Sequence, residues 1–233
     1  MSTEYQTLPM ICPKCHSENT VPIFEFLDLS ESSKRTRNMV LSSKIFRFEC
    51  EECGRKELIS YPMNCFDEET GSVITVLDAD NKEEDYRRTY EVYQSLSFGD
   101  SNTYRIVDSC QELSEKLRMF NDRLDDRIVE LIKFSAVDHF IDNPQDILKV
   151  KCIYKELKEG KLFFMASYKG EKFEFVTPTK TYATVEQSFQ RVRDSKLRDG
   201  YMINNRWADR VIQYLTVVED YDEDDEDLSD DIY

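Results

Sequence analysis

Cysteines at positions 12, 15, 50 and 53 make two C-x-x-C pairs, Cys12-Pro13-Lys14-Cys15 and Cys50-Glu51-Glu52-Cys53. Thiols at this spacing anchor a c-type haem, run a dithiol redox cycle or hold half of a tetrahedral metal site, and the neighbouring residues separate the three. Haem attachment needs the histidine that follows the first pair, and His16 supplies it. It also needs a second axial ligand and an exported chain. The one other histidine is His139, and the start of the sequence carries no basic stretch leading into an apolar one.

A redox pair works best with its first thiol at a helix N-terminus, where the helix dipole lowers the thiol pKa. After Cys15 comes HSENTVPIFEF, which reads as a turn and then a strand. Zinc predicts a second pair near the end of another strand, and Cys50 and Cys53 provide it. The four sulfurs then form a closed Cys₄ tetrahedron with Zn–S bonds of about 2.3 Å. The pairs are 34 residues apart, so intervening strands must bring them together.

Pro13 fixes φ at the start of the first knuckle, and Gly54 follows the second, where a positive φ is often required. His16 holds the equivalent place in the first knuckle, and histidine tolerates the left-handed region better than most residues. Four thiolates around Zn²⁺ leave two net negative charges and no open position, so the expected site is structural and not water-activating. Lys14, Arg55 and Lys56 are close enough in sequence to offset that charge. Cys65, Cys110 and Cys152 lack C-x-x-C partners and read as buried small hydrophobes.

Strand patterns surround the cysteines at Val21–Leu27, Lys44–Glu49 and Lys56–Tyr61, each rich in β-branched or aromatic residues. Ser30–Ser43, polar and locally basic, reads as a loop or arm. Ser72–Leu77 and Thr103–Val107 read as strands flanking NKEEDYRRTYEVYQ, a segment the pattern does not assign. Ser109 and Glu112 form a capping box, and Leu113, Leu117 and Phe120 recur on one helical face. Leu124, Ile128, Leu131 and Ile132 continue a similar stripe toward Phe140, and Asn143-Pro144 stops it.

From Ile147 the period changes to two. Three strands joined by Glu159-Gly160 and Lys169-Gly170 predict an antiparallel meander. Lys180–Leu215 is expected to be mostly helical, with Trp207, Val211, Ile212 and Leu215 on one face. From Glu219 to Asp231 ten of thirteen residues are acidic. They carry ten of the sixteen net negative charges, so the rest of the chain is only mildly acidic. A like-charged block of this kind is expected to be a disordered tail that solubilises the chain or docks onto a basic partner.

This composition excludes several classes. A net charge of −16 opposes broad attraction to nucleic acid or anionic lipid. No apolar run approaches membrane-spanning length. Seven is an odd number of cysteines, and the two C-x-x-C pairs among them favour metal over a disulfide framework, so we expect a cytoplasmic protein. The basic residues Lys34, Arg35 and Arg37 are a candidate nucleic-acid contact acting against the global charge. Asp125, Asp126, Arg127 and Glu130 resemble an acid/base cluster, but at helical spacing they are expected to be solvated or paired within the helix. No nucleophile-base pair, phosphate loop or HExxH motif is present.

The sequence resembles the CpXC family, a bacterial and archaeal group named for paired CPxC-type motifs and without an assigned activity. ICPKC, FECEECG, YPMNCFDEE and YRIVDSCQELSEKLRMFNDRLDDRIVELIK carry the resemblance over roughly residues 9 to 135. SYKGEKFEFVTP and NNRWADRVI look like the region that often follows that domain. The sequence departs from the pattern at Glu51, often Pro in the family, and at Cys65, more commonly Tyr or His. The resemblance implies a zinc-bound α+β module and brings no catalytic residues.

The expectation is thus an α+β chain: a zinc-binding domain over 1–140, with a zinc-ribbon-like β platform and helices, then an extension over 141–217 comprising the meander and C-terminal helices, then the acidic tail over 218–233. The leading function is a zinc-binding interaction or scaffold module with Cys12, Cys15, Cys50 and Cys53 as ligands and another protein as partner, engaged in part through the tail. The alternatives are a thiol-redox-regulated or enzymatic zinc protein and a nucleic-acid-associated zinc-ribbon factor.

Overall fold

The computed structural model describes residues 3–30, 32–96, 101–141 and 143–226. The chain is α+β and divides into two compact units, Met1–Arg123 and Leu124–Tyr233. The sequence expectation placed a domain boundary at 140.

The first unit is built on a mixed five-stranded sheet. Its strands are β1 (Glu4–Ile11), β2 (Glu18–Asp28), β5 (Met63–Asp67), β6 (Ser72–Val76) and β7 (Thr103–Val107), adjacent in that order. β1 and β2 form an antiparallel hairpin, and β5 and β6 another. β2 runs parallel to β5, and β6 parallel to β7. Parallel neighbours need crossovers of a dozen residues or more. The crossover from β2 to β5 contains helix α1 (Lys34–Leu41) and a separate two-stranded ribbon of β3 (Arg47–Glu49) and β4 (Lys56–Leu58). This is why the two cysteine pairs are so far apart in sequence.

α1 corrects the expectation of a loop over Ser30–Ser43. Ser33 caps it by accepting the Thr36 N–H at 3.2 Å. The expected strand Lys44–Glu49 begins with a single 3₁₀ turn at Lys44–Phe46, and only its second half is β3. The unassigned tyrosine-rich segment is α2 (Lys82–Leu96), whose first turn carries Glu83, Glu84 and Asp85 at the positive end of the helix dipole.

The capping-box residues do cap α3 (Cys110–Asn121): Ser109 accepts the Glu112 N–H at 3.2 Å. The Glu112 carboxylate instead takes the N–H of Asp108, one residue further out, at 3.0 Å. α3 packs on β6 and β7. Leu113 and Leu117 join Leu27, Val40, Phe46, Ile74 and Val107 in the main core, together with Cys65 and Cys110. Burial pushes both of those thiols up, so they remain protonated and inert.

In the second unit the expected antiparallel meander is present, and helices follow it. α4 (Asp126–Asp138) precedes the antiparallel meander of β8 (Lys151–Lys158), β9 (Lys161–Tyr168) and β10 (Glu171–Pro178). Both hairpin turns have two consecutive residues at positive φ, Glu159-Gly160 and Lys169-Gly170, the geometry that suits the twist of the flanking strands. Helices α5 (Thr179–Phe189), α6 (Ser195–Arg198) and α7 (Asn205–Glu226) follow, with Trp207 and Val211 buried. α7 carries helical backbone through Glu226 into the acidic segment; 227–233 lie outside the described residues.

Asp146 holds the short 3₁₀ helix Pro144–Lys149 to the meander. Its carboxylate accepts Lys149 Nζ at 2.5 Å and the Tyr168 hydroxyl, with Lys169 Nζ at 3.6 Å. Lys149, Tyr168 and Lys169 hold its pKa at about 2, below the ordinary 3.8. A folded-state pKa below the unfolded one adds stability above the ordinary value, and this stability is lost as pH falls from about 4 toward 2. Asp146→Asn should therefore flatten the acid limb of this unit's pH–stability curve in that window, read as denaturant midpoints at pH 5 and pH 2.5. An unchanged difference between the two midpoints would contradict the assignment.

Candidate metal centre

The first cysteine pair forms the turn between β1 and β2, and the second forms the turn between β3 and β4. The two turns repeat each other. In the first, the His16 N–H reaches the Cys12 carbonyl and the Cys12 N–H reaches the Ser17 carbonyl, both at 2.9 Å. In the second, Gly54 N–H reaches the Cys50 carbonyl and Cys50 N–H reaches the Arg55 carbonyl, also both at 2.9 Å. Each turn closes on a left-handed residue, His16 at φ 59° and Gly54 at φ 65°. His16 thus has the conformational role its position predicts. A side chain at Gly54 would meet no atom within 4 Å, so Gly54→Ala should cost only the left-handed backbone penalty, about 1–2 kcal/mol. Chemical denaturation would measure it, and a neutral substitution would contradict the strain.

The turns face each other across a small core of Val21, Ile23 and Phe48, with Met10, Ile59 and Tyr61 packed against it. All four sulfurs lie within 4.8 Å of one another. Cys12 Sγ is 3.7 Å from Cys53 Sγ, and Cys15 Sγ is 3.5 Å from Cys50 Sγ. The edge of a ZnS₄ tetrahedron with Zn–S bonds of about 2.3 Å is about 3.8 Å, so the quartet has dimensions that fit such an ion. Among the described residues it is the one group of three or more Cys, His, Asp or Glu side chains close enough to hold a metal. Cys12 and Cys50 are buried, while Cys15 and Cys53 lie toward the surface.

The electrostatics of the quartet are uneven. Ser17 Oγ lies 3.1 Å from Cys15 Sγ and 3.2 Å from Cys50 Sγ. This hydroxyl is the main influence drawing Cys50 down to about 5, aided by the N–H groups of Cys53 and Glu52, and it also lowers Cys15. At Cys53 the Arg55 N–H pulls downward, but burial and the three neighbouring thiols outweigh it and hold Cys53 up at about 11. Like charges at this separation resist forming together, and a central dication removes that conflict.

Other expected roles change. Arg55 pairs with Glu57 at 2.9 Å and Lys56 with Glu49 at 3.0 Å, so these cations are engaged along their own ribbon. Sulfur-directed donors come instead from Ser17, from Asn19, whose Nδ2 lies 3.7 Å from Cys50 Sγ, and from backbone amides. The chain after Cys15 enters a strand and not a helix, so no helix dipole acts on the first pair as it does in a dithiol redox motif.

Arg37, a candidate nucleic-acid contact, is committed to Asp67, with Nη1–Oδ1 at 2.7 Å and Nη2–Oδ2 at 2.9 Å. Lys34 and Arg35 are exposed. Arg127 pairs with the cap residue Asp125 at 2.6 Å, just outside the helix and two residues away, and not along the helix face as the spacing suggests. Asp126 and Glu130 are buried and not solvated, and Glu130 pairs with Lys133 at 2.8 Å. Cys152 is only partly buried, unlike Cys65 and Cys110. No described helix is long and apolar enough to cross a membrane.

The C-x-x-C spacing does not mark Ser17 or Asn19. The available signal was two short polar side chains immediately after a knuckle, at the start of a strand that otherwise alternates. A family model described as CpXC protein matches residues 10–133, a span that holds all four cysteines. No curated protein and no solved structure matches the chain.

Proposed function

The chain belongs to the CpXC family, and on that premise we propose that it is a zinc protein whose Cys12, Cys15, Cys50 and Cys53 hold one Zn²⁺ in a closed structural site. The observation that carries this reading is the approach of four sulfurs to within 4.8 Å at the tips of two matching turns. Four protein ligands leave no position for water or substrate, so the ion would stabilise the fold and not activate a nucleophile. Thiolate sulfur selects zinc over the harder divalent ions such as Mg²⁺ and Ca²⁺.

The turns and their strands then form a zinc-ribbon-like platform. It serves in the cytoplasm as an interaction or scaffold module, with another protein as partner and the acidic tail as part of the docking surface. The full engagement of Arg37 with Asp67 supports this reading over nucleic-acid binding. Cobalt reconstitution tests the metal claim. One Co²⁺ per chain should bind with the intense sulfur-to-cobalt charge transfer and visible bands of a tetrahedral four-sulfur site, and Cys15→Ser should weaken both. A spectrum lacking sulfur charge transfer would contradict it.

A further inference from the structure

Asn19 is about nine-tenths buried, lies at the start of β2 outside both C-x-x-C motifs, and uses both ends of its amide across the gap between the turns. Its Oδ1 accepts the N–H of Glu51, the residue after Cys50, at 3.0 Å. Its Nδ2 donates to the Ser17 carbonyl at 3.0 Å and approaches Ser17 Oγ at 3.3 Å and Cys50 Sγ at 3.7 Å. The same Ser17 carbonyl closes the first turn by accepting the Cys12 N–H. A continuous hydrogen-bonded path therefore joins the backbone of one turn to the backbone of the other through a single side chain.

We infer that Asn19 is a positioning residue for the metal centre: it clamps the second cysteine turn onto the first and, with Ser17, directs hydrogen-bond donors at the Cys15–Cys50 edge of the sulfur quartet. The inference rests on the zinc reading above. The chemistry explains the residue type. The position needs an acceptor for a backbone N–H and a donor for a carbonyl and a sulfur, at one short fixed reach. Asparagine supplies both, whereas aspartate offers only acceptors and serine is shorter.

The arrangement is one-sided. Shifting Ser17 and Asn19 by the 38 residues that separate Cys12 from Cys50 gives Arg55 and Glu57, and those two pair with each other at 2.9 Å. Among the described residues, the Cys12–Cys53 edge, with its sulfurs 3.7 Å apart, has no comparable side-chain clamp. Outer partners of metal ligands that fix orientation and hydrogen-bond the donor atom typically change metal affinity by about 10–100-fold when removed.

The test measures zinc transfer from the full chain to a chromophoric chelator, and the charge-transfer band of the Co²⁺ form, for wild type, Asn19→Ala, Asn19→Asp and Ser17→Ala. Asn19→Ala should release zinc about 10–100-fold more readily. Its cobalt band should shift to lower energy, because a thiolate stripped of its donor gives up charge more easily. Asn19→Asp keeps the acceptor for Glu51 but turns an oxygen toward Cys50, so it should also lose affinity. Ser17→Ala, at a half-exposed site, gives the same direction without disturbing the clamp and covers the case in which Asn19→Ala does not fold.

Wild-type release rates and band positions in folded variants, whatever their melting temperature, would make Asn19 a fold residue only and overturn the inference. A wild-type chain that takes up no ion would overturn the zinc reading, and the inference with it.

Discussion

Removing the metal with a chelator, or replacing Cys50 by serine, should unfold β3, β4 and the tip of the β1–β2 hairpin while the five-stranded sheet and α3 stay folded. The local core shows why. Beyond the cysteines, its fully packed members are Val21, Ile23 and Phe48, each worth about 1.5–3 kcal/mol on burial. Ordering the ribbon and the two turns costs about 1–2 kcal/mol for every residue fixed, so three apolar side chains cannot hold them. Structural zinc contributes about 10–16 kcal/mol in small peptides at neutral pH, which tips the balance.

The main core is independent of that ion. It has ten buried apolar residues besides Cys65 and Cys110, drawn from the sheet, α1 and α3, with Leu29 just after β2 and Phe46 of the 3₁₀ turn, and it should survive. Amide exchange read by mass spectrometry would separate the regions. Peptides covering 10–20 and 46–59 should exchange rapidly on metal removal, while those covering 63–76 and 103–117 keep their protection. Unchanged exchange in both regions would contradict a structural metal, and loss of protection everywhere would contradict the separation of the two cores.

Arg37→Ala should destabilise the first unit by about 3–5 kcal/mol, the cost of leaving a buried carboxylate unpaired. Asp67 is fully buried on β5 and accepts both Arg37 Nη atoms, the Thr70 hydroxyl at 2.8 Å and the Glu69 N–H at 3.3 Å. Without Arg37, the two remaining donors would have to stabilise a full negative charge inside the protein. Removing both partners should cost less than removing the arginine alone, since Arg37→Ala/Asp67→Ala leaves no buried charge. Urea denaturation of the two single variants and the double variant measures this. An Arg37→Ala loss below 1 kcal/mol would show that the pair acts as an exposed one.

This pair also explains how much of the fold was legible. The meander could be read because its strands alternate and its turns carry glycine at defined places, and Leu113 with Leu117 revealed α3 because both face the core. α1 looks like a loop in sequence because it is polar and buries one residue, Val40, leaving only the Ser33 cap as a signal. α2 was unassigned because tyrosine favours strands. Yet Tyr86, Tyr90 and Tyr93 recur at helical spacing, with Tyr86 and Tyr90 in contact and Tyr93 against Tyr104. β5 was hidden because one of its inward positions is the charged Asp67, whose partner lies 30 residues away.

At the site, the four cysteines were legible because metal chemistry fixes their spacing, and the left-handed places of His16 and Gly54 follow from the same turn. Asn19 and Ser17 were not, since a short polar residue after a turn carries no mark of what it will face once two distant segments meet. The partners of Arg55 and Lys56 are hidden in the sequence for a related reason. Sequence proximity to a cysteine does not say on which side of a ribbon a side chain lies, and both pair along the strands.

The most direct test of the central claim is the intact mass of the freshly purified chain in its native state, set against its mass after denaturation in a chelator. The account predicts one zinc per native chain, lost on unfolding, and none on a chain with serine at positions 12, 15, 50 and 53. A folded native chain without zinc, and lighter by two or four hydrogens, would mean that the cysteines are joined as disulfides and would contradict the account.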